Sequence, residues 1–155
     1  MRTTWIVVFA AVAVACSSKT GSGETSGPDS IDGSWVETNS AGTGGFGAVF
    51  NSDGTYTFTV LQLTSSKSAN VEGENGTFTV SGNTITTTPK QWSCTGPYPV
   101  YQTTYSFQGD DLTLTQPAGA VVLQPNTAAA TSVAITFGCF NNGVFAPQPL
   151  AAVSN

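Results

Sequence analysis

The chain has 155 residues, a one-domain length, of which 39% are hydrophobic and only 8% charged. So many aliphatic and aromatic residues argue against a disordered chain, and so few charges leave too little for the wet face of a helical bundle. The net charge is −5 with four basic residues, Arg2, Lys19, Lys67 and Lys90, which cannot neutralise a run of phosphates, so neither nucleic-acid binding nor charge-driven adhesion to an anionic membrane is expected.

The chain opens on Arg2 and an unbroken apolar run of eleven residues, Trp5 to Ala15. A membrane span needs about twenty apolar residues, so this run has the size of a signal-peptide core. Ala13-Val14-Ala15 then places small residues directly before Cys16. The four residues resemble the bacterial lipobox, in which cleavage before a cysteine is coupled to its acylation. Ala13 stands where that motif usually has Leu. An ordinary secretory signal would cut at the same bond, and only the fate of the Cys16 thiol separates the two readings.

Cysteine parity favours the lipoprotein. The chain has three cysteines, Cys16, Cys94 and Cys139, and an odd thiol is a liability in an oxidising compartment. With Cys16 acylated, Cys94 and Cys139 remain as a natural disulfide pair. The expected organisation is a signal peptide over 1–15, the acylated Cys16 with a tether to residue 30, and one domain over 31–155. The protein is then exported and held in the cell envelope by its lipid. Loss of Arg2 leaves three lysines against nine acids, or −6. Ser17 follows Cys16 where a retention signal for the inner membrane resembles Asp, so the outer membrane is the expected address.

Residues 17–30 read SSKTGSGETSGPDS, without an aliphatic or aromatic side chain. This is a flexible spacer, with an end-to-end distance of roughly 20 Å. From Ile31 the pattern alternates between apolar and polar residues, as strands with one buried face require. Strands are expected over 34–38, 46–50 and 55–63, the last two joined by Asn51-Ser52-Asp53-Gly54, a strong hairpin turn. In the third, Tyr56, Phe58 and Val60 share one face. Further strands are expected over 76–81 and 83–88 around Gly82, over 100–108 and 111–116 around Gly109-Asp110, and over 120–124 and 132–137. Eight or nine short strands without an amphipathic helix argue a barrel or sandwich, and hairpins between sequence neighbours favour an up-and-down barrel of about eight strands.

Catalytic chemistry has little to work with. The chain has no histidine, which removes His-activated nucleophiles, His general bases and the commonest transition-metal ligand. No Arg lies beyond position 2, and neither a phosphate-binding glycine loop nor a nucleophile elbow is present. Asp110 and Asp111 fit a hairpin turn better than a carboxylate dyad. Asn51 to Gly54 lacks the later acid of a calcium loop. Glu72 and Glu74 flank Gly73 in an extended segment, read here as a solvated edge. No enzyme, metal or cofactor is expected. Closing the 45-residue loop between Cys94 and Cys139 (139 − 94) should stabilise by about 4 kcal/mol in the chain-entropy model.

Gly33-Ser34-Trp35 at the entry to the first strand resembles the G-x-W signature of the lipocalin and wider calycin group. The blocks Phe50 to Tyr56, Gly76 to Val80 with Gly82 to Ile85, and Tyr105 to Leu112 are similar to lipocalin-like domains in the same order. The resemblance covers residues 31 to about 124 and implies a small up-and-down barrel with Trp35 packed across one end. The Arg that lipocalins usually stack on that Trp is missing. A lipocalin-like module would hold a small apolar molecule in a cup lined by Tyr56, Phe58, Phe78, Tyr105 and Phe107. The same rings would equally fill a small barrel. In that case Trp92, Tyr98 and Tyr101, with Pro97 and Pro99, form an aromatic loop suited to a protein partner.

Overall fold

The computed structural model describes residues 30–38, 42–95, 99–127 and 134–152. The expected signal peptide, Cys16 and nearly all of the expected tether lie outside the described residues, as do Pro97 and Tyr98. The described chain is all β. Its strands are β1 (Gly33–Thr38), β2 (Gly44–Phe50), β3 (Thr55–Ser65), β4 (Ser68–Ser81), β5 (Thr84–Trp92), β6 (Tyr101–Gln108), β7 (Asp111–Gln116), β8 (Gly119–Pro125), β9 (Ala134–Asn141), β10 (Val144–Pro147) and β11 (Ala151–Ala152).

Strands β1 to β8 form a closed, antiparallel, up-and-down barrel in which each strand pairs with its sequence neighbours. Closure comes at β1 against β8, where Trp35 and Val36 stand opposite Pro125 and Gln124. Asn126 reinforces this seam by donating its backbone N–H to the Ser34 carbonyl at 2.7 Å. Closing the sheet removes the exposed edges that an open eight-stranded sheet would present.

Local chemistry makes the hairpins. At the β2–β3 turn Gly54 has φ +81°, a conformation that costs glycine little and other residues more. The Asp53 carboxylate accepts hydrogen bonds from the Thr55 N–H at 2.9 Å and hydroxyl at 2.6 Å. Those two bonds hold its carboxyl below the usual carboxylate range.

Strand β4 differs from expectation. The sequence pattern placed a strand only over 76–81 and left Glu72 and Glu74 on a solvated edge, whereas β4 runs unbroken from Ser68 to Ser81 and Glu74 is only 7% exposed. Two glycines and two polar residues between Glu72 and Thr77 mask its strand character. Glycine is required by close approach: a Cβ on Gly76 would lie 2.1 Å from the Thr88 carbonyl oxygen.

β4 also forks. Its first part, Ser68 to Val71, pairs in parallel with β9, and Glu74 to Ser81 pairs antiparallel with β5. The β9–β10 hairpin therefore extends the sheet away from the barrel, and two-residue β11 returns to pair with the end of β5. Ser93 pins the fork, since its N–H donates to the Gly73 carbonyl while its hydroxyl accepts from the Gly73 N–H and donates to the Gly138 carbonyl. Beside it, Cys94 and Cys139 form the expected disulfide.

Side chains fill one part of the barrel interior. Trp35, Leu112 and Leu123 are buried there, with Phe78, Tyr105 and Phe107 packed against the cluster, and Phe50 and Ile85 belong both to this cluster and to the wall of the space beside it. The Trp35 indole donates to the Ile31 carbonyl at 2.8 Å and lies 5.9 Å from the Phe107 ring. Gly33, with φ +144°, packs beneath that indole.

Candidate functional site

The other half of the barrel is hollow. A cavity of about 410 Å³ is walled by inward side chains of every barrel strand, among them Phe46, Phe58, Glu74, Tyr101, Leu114 and Val121. The strand registers order these into rows. Glu37 stands opposite Phe46, Phe46 opposite Val60, and Val60 opposite Glu72, which makes one rim row across four strands. One step deeper, Ala48 stands opposite Phe58 and Phe58 opposite Glu74. Two residues along a strand is one step on the same face, so Glu72 and Glu74 both point inward at different depths.

Glu74 is the centre of the site. Both the Tyr56 hydroxyl and the Tyr101 hydroxyl donate to its Oε1 atom, the latter at 2.9 Å. Burial pushes the Glu74 carboxyl above its ordinary value, the negative charge of Glu72 adds to this, and the two phenol hydrogen bonds oppose it. Tyr56 and Tyr101 are pushed up in turn, first by burial and then by the neighbouring carboxylate. They therefore remain protonated donors across the physiological range. Glu72 is engaged differently: Oε1 accepts from the Trp92 indole at 3.4 Å and Oε2 from the Phe140 N–H at 3.0 Å. It ties the rim to β9.

The residues expected to line a cup separate into two groups. Phe58 is in the cavity wall, with ring centroids 5.5 Å from Phe46 and 5.6 Å from Phe50. Tyr56 is not itself in the cavity wall; it is buried beside Phe58, 4.6 Å between ring centroids, with its hydroxyl on Glu74. Phe78 packs edge-on against Phe50, and Tyr105 against Phe107, in the filled half and not in the cavity wall. The aromatic-loop expectation is corrected for Tyr101, which belongs to β6 and lines the cavity, and for Trp92, which ends β5. Glu74, Phe46, Ile85 and Leu114 were not anticipated as wall residues. The Glu-x-Glu spacing of 72 and 74 was the available signal for the first of these.

Other chemistry is limited. Among the described residues the only group of three side chains of metal-binding type is Glu72, Cys94 and Cys139. Both sulfurs are joined in the disulfide, and Glu72 is hydrogen-bonded to Trp92 and Phe140. Fold and site together define a closed antiparallel barrel, filled at one end and holding an acid-lined aromatic cup at the other. Comparison of the chain with family models, curated proteins and solved structures gives no match.

Proposed function

We propose that this chain is a lipid-anchored lipoprotein of the cell envelope whose lipocalin-like barrel holds a small, largely apolar molecule. The observation that carries this reading is the cavity of about 410 Å³ with walls of Phe46, Phe50, Phe58, Ile85, Leu114 and Val121. Ligand sites are concave, mostly apolar and furnished with a few convergent polar groups, and barrel mouths are a favoured place for them. Its volume lies within the range of roughly 300–1,000 Å³ typical of such sites. The lipocalin-like assignment is supported by eight-strand closure and by the seat of Gly33 and Trp35 at the packed end. A filled barrel acting only through its surface is the competing reading, and the hollow half weighs against it.

The anchor is part of the same proposal. Acylation of Cys16 would leave the barrel within roughly 20 Å of a membrane on its Gly/Ser tether, placed to meet apolar molecules of the envelope. Mass spectrometry of the mature N-terminus should show acylated Cys16, and fractionation should recover the protein with outer membranes. A free Cys16 thiol or an intact Met1 refutes the anchor. The cup is tested by thermal unfolding of the full chain against fatty alcohols, fatty acids, quinones and alkylamines. A ligand specific to the folded state adds about 2.7 kcal/mol of stability at a hundredfold excess over Kd. A screen in which no compound shifts the melt rejects the cup.

A further inference from the structure

Among the described residues, three carboxylates and no cation face the cavity. Glu37 and Glu72 stand in its rim row and Glu74 one step deeper, and no Lys or Arg is among the residues lining it. Lys67 and Lys90, the two lysines among the described residues, are exposed to solvent. Glu74 is more than nine-tenths buried, yet no Lys or Arg among the described residues lines the cavity to supply its counter-charge. Both phenols converge on Oε1, and Oε2 receives no hydrogen bond from any described residue.

A buried carboxylate is costly unless it is paired or neutralised, and each phenol offers only a neutral hydrogen bond. No fully buried side-chain oxygen among the described residues lacks a partner, so Oε2 is open to the cavity, where it offers one acceptor and a negative charge that no described cation neutralises. The rings of Phe46, Phe58, Trp92 and Tyr101 line the same cavity. Aromatic faces attract a cation and do nothing for an anion, and desolvation strengthens the attraction. A fatty-acid anion entering the same cup would meet three like charges, with only neutral donors such as Thr87, Thr103, Gln116 and the two phenols to offset them and no cation.

We infer that the cup selects a small amphiphilic organic cation, a protonated amine on an apolar body. Its ammonium group sits against Glu74 Oε2, and its apolar part lies on Phe46, Phe50 and Phe58. This rests on the cavity being a ligand site and names the class of ligand that site prefers. Glu37 and Glu72 at the rim add a field that draws a cation inward. The groups facing Glu74 are Tyr56 from β3, Tyr101 from β6 and Glu72 from β4, with Glu37 across the mouth. Both phenols stay neutral at physiological pH, so the carboxylates alone set the charge of the cup.

The test is calorimetric titration of the full chain with octylammonium, 1-octanol and octanoate, which share one apolar body and differ in charge. Octylammonium should bind at least about tenfold tighter than octanol, the scale of a charge-assisted hydrogen bond, and octanoate should bind most weakly. Glu74→Gln should weaken octylammonium far more than octanol, so that most of the difference between the two is lost. In the unaltered protein, octylammonium affinity should fall as pH drops from about 8 to about 4, because Glu74 takes up a proton while the amine stays charged. Octanol should show no such fall. Equal binding of octanol and octylammonium, a preference for octanoate, or a pH-independent octylammonium affinity would overturn the charge selection and leave the apolar cup standing. Binding of none of the three would remove the cup itself.

Discussion

The Tyr101 hydroxyl donates to the Glu74 carboxylate at 2.9 Å although β5 lies between their two strands in the sheet. A contact across a strand is made through the lumen, so it exists only because the barrel is closed and hollow at that level. Tyr56 donates to the same oxygen from β3, on the opposite side of β4. The carboxylate thus joins three strands at the floor of the cup. Tyr101→Phe should remove one donor and cost about 1–3 kcal/mol, the penalty of leaving a buried charged group underbonded. Urea unfolding of the variant checks this, and an unchanged midpoint would show the bond to be idle.

Glu74 also predicts an unusual pH dependence. Its folded carboxyl titrates above the ordinary 4.5 because burial disfavours the charge. For a group raised on folding, the native state binds the extra proton, so its contribution to stability is full below the unfolded value and is lost as pH rises through the folded one. Stability should therefore decline as pH climbs from about 4.5 towards neutrality, in the absence of ligand. Glu74→Gln should abolish that slope and equal or exceed the native chain at neutral pH. Asp53 acts oppositely, since its lowered carboxyl loses its contribution only as pH falls further into acid. Urea midpoints measured across this range for both proteins decide the matter.

Two phenylalanines distinguish cup from core. Phe58→Ala enlarges the cavity wall and should abolish the melting shift given by an apolar ligand. Phe107→Ala opens a void against Trp35 in the filled half. It should cost up to about 3 kcal/mol, less than a fully buried ring, and leave the ligand response intact. Loss of the response in both variants, with both still folded, would mean that the two halves are not independent.

The disulfide joins the end of β5 to β9 and closes a loop of 45 residues. Reduction restores freedom to the unfolded chain and should lower stability by about 4 kcal/mol on the loop-entropy model. Thiol titration of the unfolded, unreduced protein should find neither Cys94 nor Cys139 free. Glu72 accepts from Phe140, the residue after Cys139, at 3.0 Å, so reduction should loosen the rim as well. Faster hydrogen exchange at Phe140 in the reduced protein is the expected readout.

Gly76→Ala is the sharpest test of the fork. The added Cβ would meet the Thr88 carbonyl oxygen at 2.1 Å and the Pro89 Cα at 2.9 Å. Both are backbone atoms that cannot rotate away, so strands β4 and β5 must separate locally. The expected cost is about 3 kcal/mol, at the upper end of overpacking penalties. Gly82→Ala would meet no atom within 4 Å and carries only the strain of φ +59°. Its smaller loss in a thermal melt is the control.

The amino-acid sequence by itself determined what depends on neighbours along the chain. Turns such as Asn51 to Gly54 are made by contacts two to four residues apart, and alternation such as Tyr56, Thr57, Phe58 sorts side chains onto two faces without reference to the rest of the molecule. With every hairpin joining consecutive runs, the eight-stranded barrel followed, and the Cys94–Cys139 bond followed from parity. Depth along the barrel axis was decided only by tertiary structure. Alternation assigns Phe58 and Phe107 alike to the interior, but the register of β3 against β2 and β4 puts one ring in the cup wall, and that of β6 against β7 puts the other in the packed end. The fork in β4 was equally hidden, because its parallel pairing with β9 joins residues more than sixty positions apart. Glu74 shows the reason most directly. A carboxylate in an extended, glycine-rich segment reads as solvated until strands from elsewhere close around it, and its burial and its two phenol donors are properties of that closure.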